Sequence, residues 1–180
     1  MIQLLRASEY REQPWKNGGG LTREIAAALS GNRTMWRLSL ATIERDGPFS
    51  EFPGYDRTIV AIDGAPVELL VEGQRVMLDR AVPYDFPGEA LVTCRVCGGT
   101  ARDLNVMTLR DECVHDCEIV TSSQRFVLDE DEDVFVYAIE GVATALGANC
   151  SAGDTLQLRV EDTVEIVTTG SAAVVRITPL

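Results

Sequence analysis

Histidine is nearly missing from this 180-residue chain: His115 is the only one. That excludes any site built from two or three imidazoles, the usual ligand set for iron, nickel, zinc or copper. It also leaves Ser39 and Ser50 with no histidine nearby in sequence, the ordinary base that would activate a nucleophile. Lysine is equally scarce. Lys16 stands alone among 16 basic residues, the others being arginine, and it supplies a compact, mobile ammonium where arginine supplies a planar fork. No apolar run approaches the length that spans a bilayer. The opening Met1-Ile-Gln-Leu-Leu-Arg6 lacks the basic start and long apolar stretch of a secretory signal, so the expected location is cytoplasmic.

Cysteine is present in an odd number, five, in a chain expected to stay in a reducing compartment, which argues against a disulfide framework. Cys94-x2-Cys97 and Cys113-x3-Cys117 have the spacing of zinc ligands. The stretch 90–97 nevertheless looks like a strand, where residues three apart face opposite ways, and cysteine is commonly a small buried hydrophobe. The expectation is no metal. Positive charge is missing from the end of the chain: residues 111–180 hold 3 Arg against 14 Asp and Glu, whereas residues 1–57 hold 8 Lys and Arg against 7 acids. Such a balance argues against nucleic acid and anionic membrane as partners. A small anion would bind in the first part.

Helical patterning is thin, and what is there is β. A short turn is expected at 8–11. The stretch 22–29 reads as a strand rather than a helix capped by Thr22. Trp36-Arg-Leu-Ser-Leu-Ala-Thr-Ile43 alternates, with Trp36, Leu38 and Leu40 on one face and Arg37, Ser39 and Ala41 on the other. Asp103-Leu-Asn-Val-Met-Thr-Leu109 alternates likewise, placing Asp103, Asn105 and Met107 together. Many short strands divided by Gly, Pro and Asp turns indicate a sandwich or barrel. The acid run Asp129–Asp133 is expected to be a solvated hairpin or a guard against edge association. Ala61-Ile-Asp-Gly64 and Ala138-Ile-Glu-Gly141 match at an offset of 77 residues, and Phe49 and Phe126 share that offset. A duplicated unit leaves this kind of trace.

The most concentrated stretch is Pro14-Trp-Lys-Asn-Gly-Gly-Gly-Leu-Thr-Arg-Glu-Ile25. Together with Trp36–Ile43, Gly47-Pro-Phe-Ser-Glu-Phe-Pro-Gly-Tyr-Asp-Arg57 and Asp103-Leu-Asn-Val-Met107, it resembles the HutD/Ves family of the cupin superfamily. Leu104 stands at that family's aromatic position. The resemblance implies a double-stranded β-helix fold, two jelly-roll cupin barrels in one chain (a bicupin). The N-terminal barrel would take residues 1–110 and the acidic C-terminal barrel 111–180, with N-terminal strands able to cross between them. It also implies a protein that binds an intermediate of histidine utilisation and restrains flux, a formylglutamate-like carboxylate being the suggested ligand. Metal-dependent cupins resemble one another in a histidine cluster that this chain cannot form.

Binding chemistry is available without metal or cofactor. Lys16 and Arg57 can meet a carboxylate, the arginine in bidentate geometry. Asn17, Thr22, Ser39 and Asn105 offer neutral donors and acceptors, and Trp36, Phe52 and Met107 offer apolar walls. Each also has a structural alternative: Trp36 and Met107 as core, Arg57 and Asp103 as a cross-strand pair, and glycines 18–20 as a tight crossing. Two other functions stay open. One is a metal-independent isomerase, epimerase or hydrolase using Lys16 with Glu24 or Asp103. The other is a protein-interaction module on the acidic half. Sheet edges and apolar faces also suggest a homodimer.

Overall fold

The computed structural model describes residues 1–15 and 18–180, so the expectations for Lys16 and Asn17 fall outside the described residues. Strands account for nearly all the regular structure, and one 3-10 turn spans Ala7–Glu9. In chain order the strands are β1 (Ile2–Leu5), β2 (Arg11–Pro14), β3 (Gly20–Ser30), β4 (Arg33–Ile43), β5 (Gly47–Pro48), β6 (Tyr55–Gly64), β7 (Val67–Val71), β8 (Gln74–Leu78), β9 (Pro83–Pro87) and β10 (Val92–Val96). They continue with β11 (Ala101–Leu109), β12 (Cys113–Val120), β13 (Ser123–Leu128), β14 (Asp133–Glu140), β15 (Val142–Ala145), β16 (Ala148–Ser151), β17 (Thr155–Leu158), β18 (Asp162–Thr168) and β19 (Ser171–Pro179). The expected strand at 22–29 lies inside β3. No helix among the described residues is long and apolar enough to cross a membrane.

The chain divides into two compact units. The central unit, Arg11–Glu112, sets a sheet ordered β2-β3-β4-β11-β6-β9 against one ordered β5-β10-β7-β8. Its hydrocarbon core draws Ile43, Ile59 and Ala101 from the first sheet and Val67, Leu69, Val92 and Cys94 from the second. The terminal unit, Met1–Tyr10 with Cys113–Leu180, sets β1-β17-β14-β19-β12 against β13-β18-β15-β16. Strand for strand, β4-β11-β6-β9 answers to β12-β19-β14-β17, and β5-β10-β7-β8 to β13-β18-β15-β16.

The 77-residue echo falls on equivalent places in this order. Gly64 ends β6 at φ +90° and Gly141 follows β14 at φ +71°, and each begins the turn into the second sheet. A Cβ on Gly64 would stand 2.2 Å from the Thr100 carbonyl oxygen, and one on Gly141 2.6 Å from Thr169 Oγ1. Only glycine combines that backbone with that clearance.

The first ten residues close the terminal unit. Ile2–Leu5 pairs with Thr155–Leu158, and the Tyr10 hydroxyl lies 2.9 Å from the Gly153 carbonyl and 2.8 Å from Thr155 Oγ1. Burial holds the Tyr10 phenol protonated well above its ordinary range.

The acid run departs from the expectation of a solvated hairpin. Glu132 is only 5% exposed and accepts from Arg176 Nη2 at 2.7 and 2.9 Å and from Thr178 Oγ1 at 3.2 Å. Asp133 accepts from Gln157 and Arg159. Part of the run is therefore internal counter-charge, which a composition argument cannot separate from solvated acids.

Candidate functional site

One face of the central unit's larger sheet changes character along its length. Because side chains alternate across a strand and opposed residues share a face, the pairing of β4, β11 and β6 builds successive rungs. Ile43 and Ala101 give hydrocarbon, followed by Ala41–Asp103–Ala61, then Ser39–Asn105–Ile59, then Arg37–Met107–Arg57. A cavity of about 480 Å³ opens over this face. It is lined by Arg37, Ser39, Arg57, Asp103 and Asn105, with Thr22 and Trp15 from the adjoining edge and Phe49 and Phe52 from the loop that follows β5.

Arg57 is the most constrained cation there. Its guanidinium carbon lies 4.8 Å from the Phe86 ring centre, 5.2 Å from Phe52 and 5.8 Å from Phe49, and Nη1 donates to the Ser50 carbonyl at 3.4 Å. Aromatic faces favour a cation when water is removed. Burial lowers the Arg57 pKa to about 10, with the Asp103 charge opposing and Arg37 reinforcing the shift, so it stays charged at neutral pH. Arg37 lies over Phe52 at 5.6 Å and donates from Nη2 to Met107 Sδ at 3.3 Å. Asp103, 2% exposed, is raised from 3.8 to about 7 by burial, which the Arg57 charge only partly offsets.

Buried polar atoms of the residues around this space lack partners. Among the described residues nothing hydrogen-bonds to Arg37 Nε, Arg57 Nε, either carboxylate oxygen of Asp103, or Asn105 Oδ1. Native interiors pair such atoms, and four residues with orphaned groups around one cavity make it the candidate site. The wall beside them is braced. Trp15 Nε1 donates to Thr22 Oγ1 at 2.8 Å, and its ring meets Phe49 edge-on at 6.4 Å. Gly20 sits under that indole, where a Cβ would approach within 2.2 Å of the Thr42 carbonyl oxygen and 3.2 Å of the Trp15 ring.

Of the residues expected from sequence, Thr22, Ser39, Phe52, Arg57 and Asn105 line the cavity. Met107 shares the face but serves Arg37 rather than the lining, and Trp36 points to the opposite, buried face with Leu38 and Leu40. Trp36 is corrected to core. Strand alternation alone places it away from Ser39. Trp15, Arg37, Phe49 and Asp103 also line the cavity; the sequence expectation names Asp103 as a site residue only for the enzyme alternative and does not name the other three as such. Arg37 and Asp103 were legible from the same alternation that picked Ser39 and Asn105. Glu24 pairs with Ser39 but is not in the lining.

A divalent metal does not fit this donor set: two guanidiniums share the lining with a single carboxylate, and no histidine is in that lining. Among the described residues no group of three or more His, Cys, Asp or Glu is placed to hold an ion. Cys94 faces the central core, its thiol pushed up to about 12 by burial, while Cys97 is exposed. The zinc-like spacing thus splits between core and surface.

This architecture defines a cupin-like protein. The Cupin 2 conserved barrel domain protein from Leptotrichia buccalis superposes with a TM-score of 0.60 over 89% of both chains, at 11% identity, a likeness of fold alone. The HutD family model matches residues 7–176, and the chain belongs to the HutD family. The structure of HutD from Pseudomonas fluorescens SBW25 is 33% identical and superposes with a TM-score of 0.92 over the whole of both chains. An uncharacterized 21.2 kDa protein in the hutC 3′ region of Pseudomonas putida is 46% identical over 115 residues, 59% of this chain and 57% of that one. Protein Ves of Citrobacter koseri is 39% identical over 113 residues, 58% of each. The chain thus spans a little over half the length of these curated relatives.

Proposed function

We propose that this chain is a metal-independent, cytoplasmic bicupin whose central unit binds a small carboxylate metabolite and acts as a regulator linked to histidine utilisation. The observation that carries the ligand class is the buried Arg57 guanidinium, held over three phenylalanine rings with Nε unpartnered and Arg37 beside it. Two guanidiniums in a low-dielectric cavity favour a carboxylate with bidentate geometry. The equivalent strand order of the two units and the 77-residue echo support reading each unit as a cupin barrel. In the terminal unit the positions answering to Arg57, Asn105 and Asp103 are Val134, Val174 and Ala172, all core residues. Among the described residues, these three positions carry polar side chains in the central unit and hydrocarbon in the terminal one. The link to histidine utilisation rests on the hutC-region relative and the HutD structure.

Thermal-shift measurements with N-formylglutamate and the other acidic intermediates of histidine breakdown, and with glutarate as a plain dicarboxylate, test this. A ligand present at 100 times its Kd stabilises the native state by about 2.7 kcal/mol, a shift of several degrees. The shift should vanish in Arg57→Met and Arg37→Met, which keep bulk and remove charge. No shift with any carboxylate would overturn the reading. Asp103, held near neutrality in a cleft, favours a second reading as a general acid or base. Product formation from the same acids would establish it.

A further inference from the structure

Asp103 is the one carboxylate among the described residues of the lining, and the fold does not require it. In the terminal unit Ala172 pairs with Ala138 as Asp103 pairs with Ala61. The Asp103 side chain is shut from water, and neither oxygen accepts a hydrogen bond among the described residues. Burying an ionised carboxylate is costly unless it is paired and hydrogen-bonded. Here only the charge of Arg57 opposes that cost, and burial prevails, leaving Asp103 divided between its two forms near pH 7.

The charged and titratable groups around it come from several strands. Arg57 on β6 and Arg37 on β4 share the Met107 rung, two rungs from Asp103 along β11. On β10, Cys94 feels the Asp103 charge, but its thiol is held neutral to about pH 12. β3 contributes Glu24, opposite Ser39 and outside the lining, with Arg11 of β2 opposite Glu24. Asp46, in the loop after β4, accepts from the Val96 amide at 2.8 Å. Asn105 Oδ1, on the rung between Asp103 and the arginines, is a second acceptor without a donor. Two acceptors on adjoining rungs thus lack the hydrogen that a protonated carboxyl would supply.

An anion in the cavity tips the balance toward that form. By pairing with Arg57 or Arg37 it cancels the positive field that favours the carboxylate, and it brings a negative charge of its own. A unit charge about 8 Å away, at an effective dielectric near 20, moves a titration by roughly one and a half pH units. The complex then holds a proton that the empty site holds only part of the time. Affinity is full below pH 7 and declines as pH rises above it, because the complex must give up less of that proton than the free chain.

We propose that the cavity takes up a proton together with its acid, with Asp103 as the receiving group, so that acidification tightens binding and alkalinity releases the ligand. This rests on the carboxylate-site reading given above. The proton comes from solution, and no bond in the acid is made or broken. Arg57, lowered only to about 10, titrates well above this range.

The test is calorimetric titration of the full chain with N-formylglutamate and with glutarate, whose carboxyls are ionised from pH 6.5 upward. Titrations at pH 7.5 in MOPS and in Tris, which differ in heat of ionisation, count the protons. Uptake of about half a proton or more per site is expected, and affinity should weaken roughly five-fold or more from pH 6.5 to pH 8.5. Infrared difference spectra at pH 7.5 should show a protonated-carboxyl stretch growing on binding. In Asp103→Asn the uptake, the pH dependence and that band should all be lost. Binding without proton uptake, or tightening as pH rises, would overturn the inference and leave the carboxylate reading standing. Uptake that persists in Asp103→Asn would assign the proton to another group and equally overturn it. Absence of binding by both acids at every pH would overturn both readings. Should Asp103→Asn not fold, the wild-type proton count and infrared band decide alone.

Discussion

Replacing Asp103 by Asn should stabilise the ligand-free protein, and the gain should grow with pH. The carboxyl is raised from 3.8 to about 7 by burial. At pH 4 the native state already holds the proton, and the neutral amide closely mimics that form. Between roughly pH 4 and pH 7 the native state binds more protons than the unfolded chain, so wild-type stability falls as pH rises, then levels off. Each pH unit of displacement corresponds to about 1.4 kcal/mol, so the full penalty relieved by Asp103→Asn is roughly 4 kcal/mol. For a chain of this length that is a rise in Tm of roughly 10 °C. The assay is a pair of thermal melts, wild type and variant, at pH 4, 6 and 8. A gain near zero at pH 4, partial at pH 6 and complete by pH 8 is expected. A gain of equal size at all three, or a loss at pH 8, would refute the account of Asp103 as a buried carboxylate held against its preference.

Two other substitutions report on the frame rather than the site. Glu132→Gln should cost about 3 kcal/mol in urea unfolding, because it removes the internal counter-charge of Arg176 and leaves that guanidinium half-buried; an unchanged midpoint would mean the pair is solvated after all. Gly64→Ala should cost more than Gly73→Ala. Both glycines have φ above +80°, but only the Cβ at 64 runs into backbone, whereas that at 73 meets open space. Equal losses would show that left-handed strain alone, and not the closed turn, sets the requirement.

The site was more legible in the sequence than the choice of residues made from it. Period-two alternation already grouped Arg37 with Ser39 and Asp103 with Asn105, and the structure keeps both groupings. Alternation says which residues share a face but not which face turns toward the cavity. Hence the sequence alone does not decide between Trp36 and Arg37 as wall residues. Both faces of these central strands are buried, so hydrophobicity gives no vote. From sequence, Asp103 reads as a cross-strand ion-pair partner or an acid–base residue, and its lack of a hydrogen-bond partner among the described residues is a fact of three dimensions. The strands Ile2–Leu5, Arg11–Pro14 and Ala148–Ser151 are four residues each and Gly47–Pro48 only two, too short for alternation to show. Arg11–Pro14 is an exposed edge whose polar residues suit an unpaired border.

The pairing of Ile2–Leu5 with Thr155–Leu158 has a temporal cost. On the ribosome, at about 5–20 residues per second, the first strand emerges some 8–30 seconds before its neighbour exists. The central unit, whose contacts lie within Arg11–Glu112, is free to fold during that interval. The terminal unit must instead recapture a segment made about 150 residues earlier, across a loop of that length, and Tyr10 waits with it. Birth order and assembly order are therefore reversed for the first ten residues, and a nascent chain stalled before residue 155 would carry them as a loose thread.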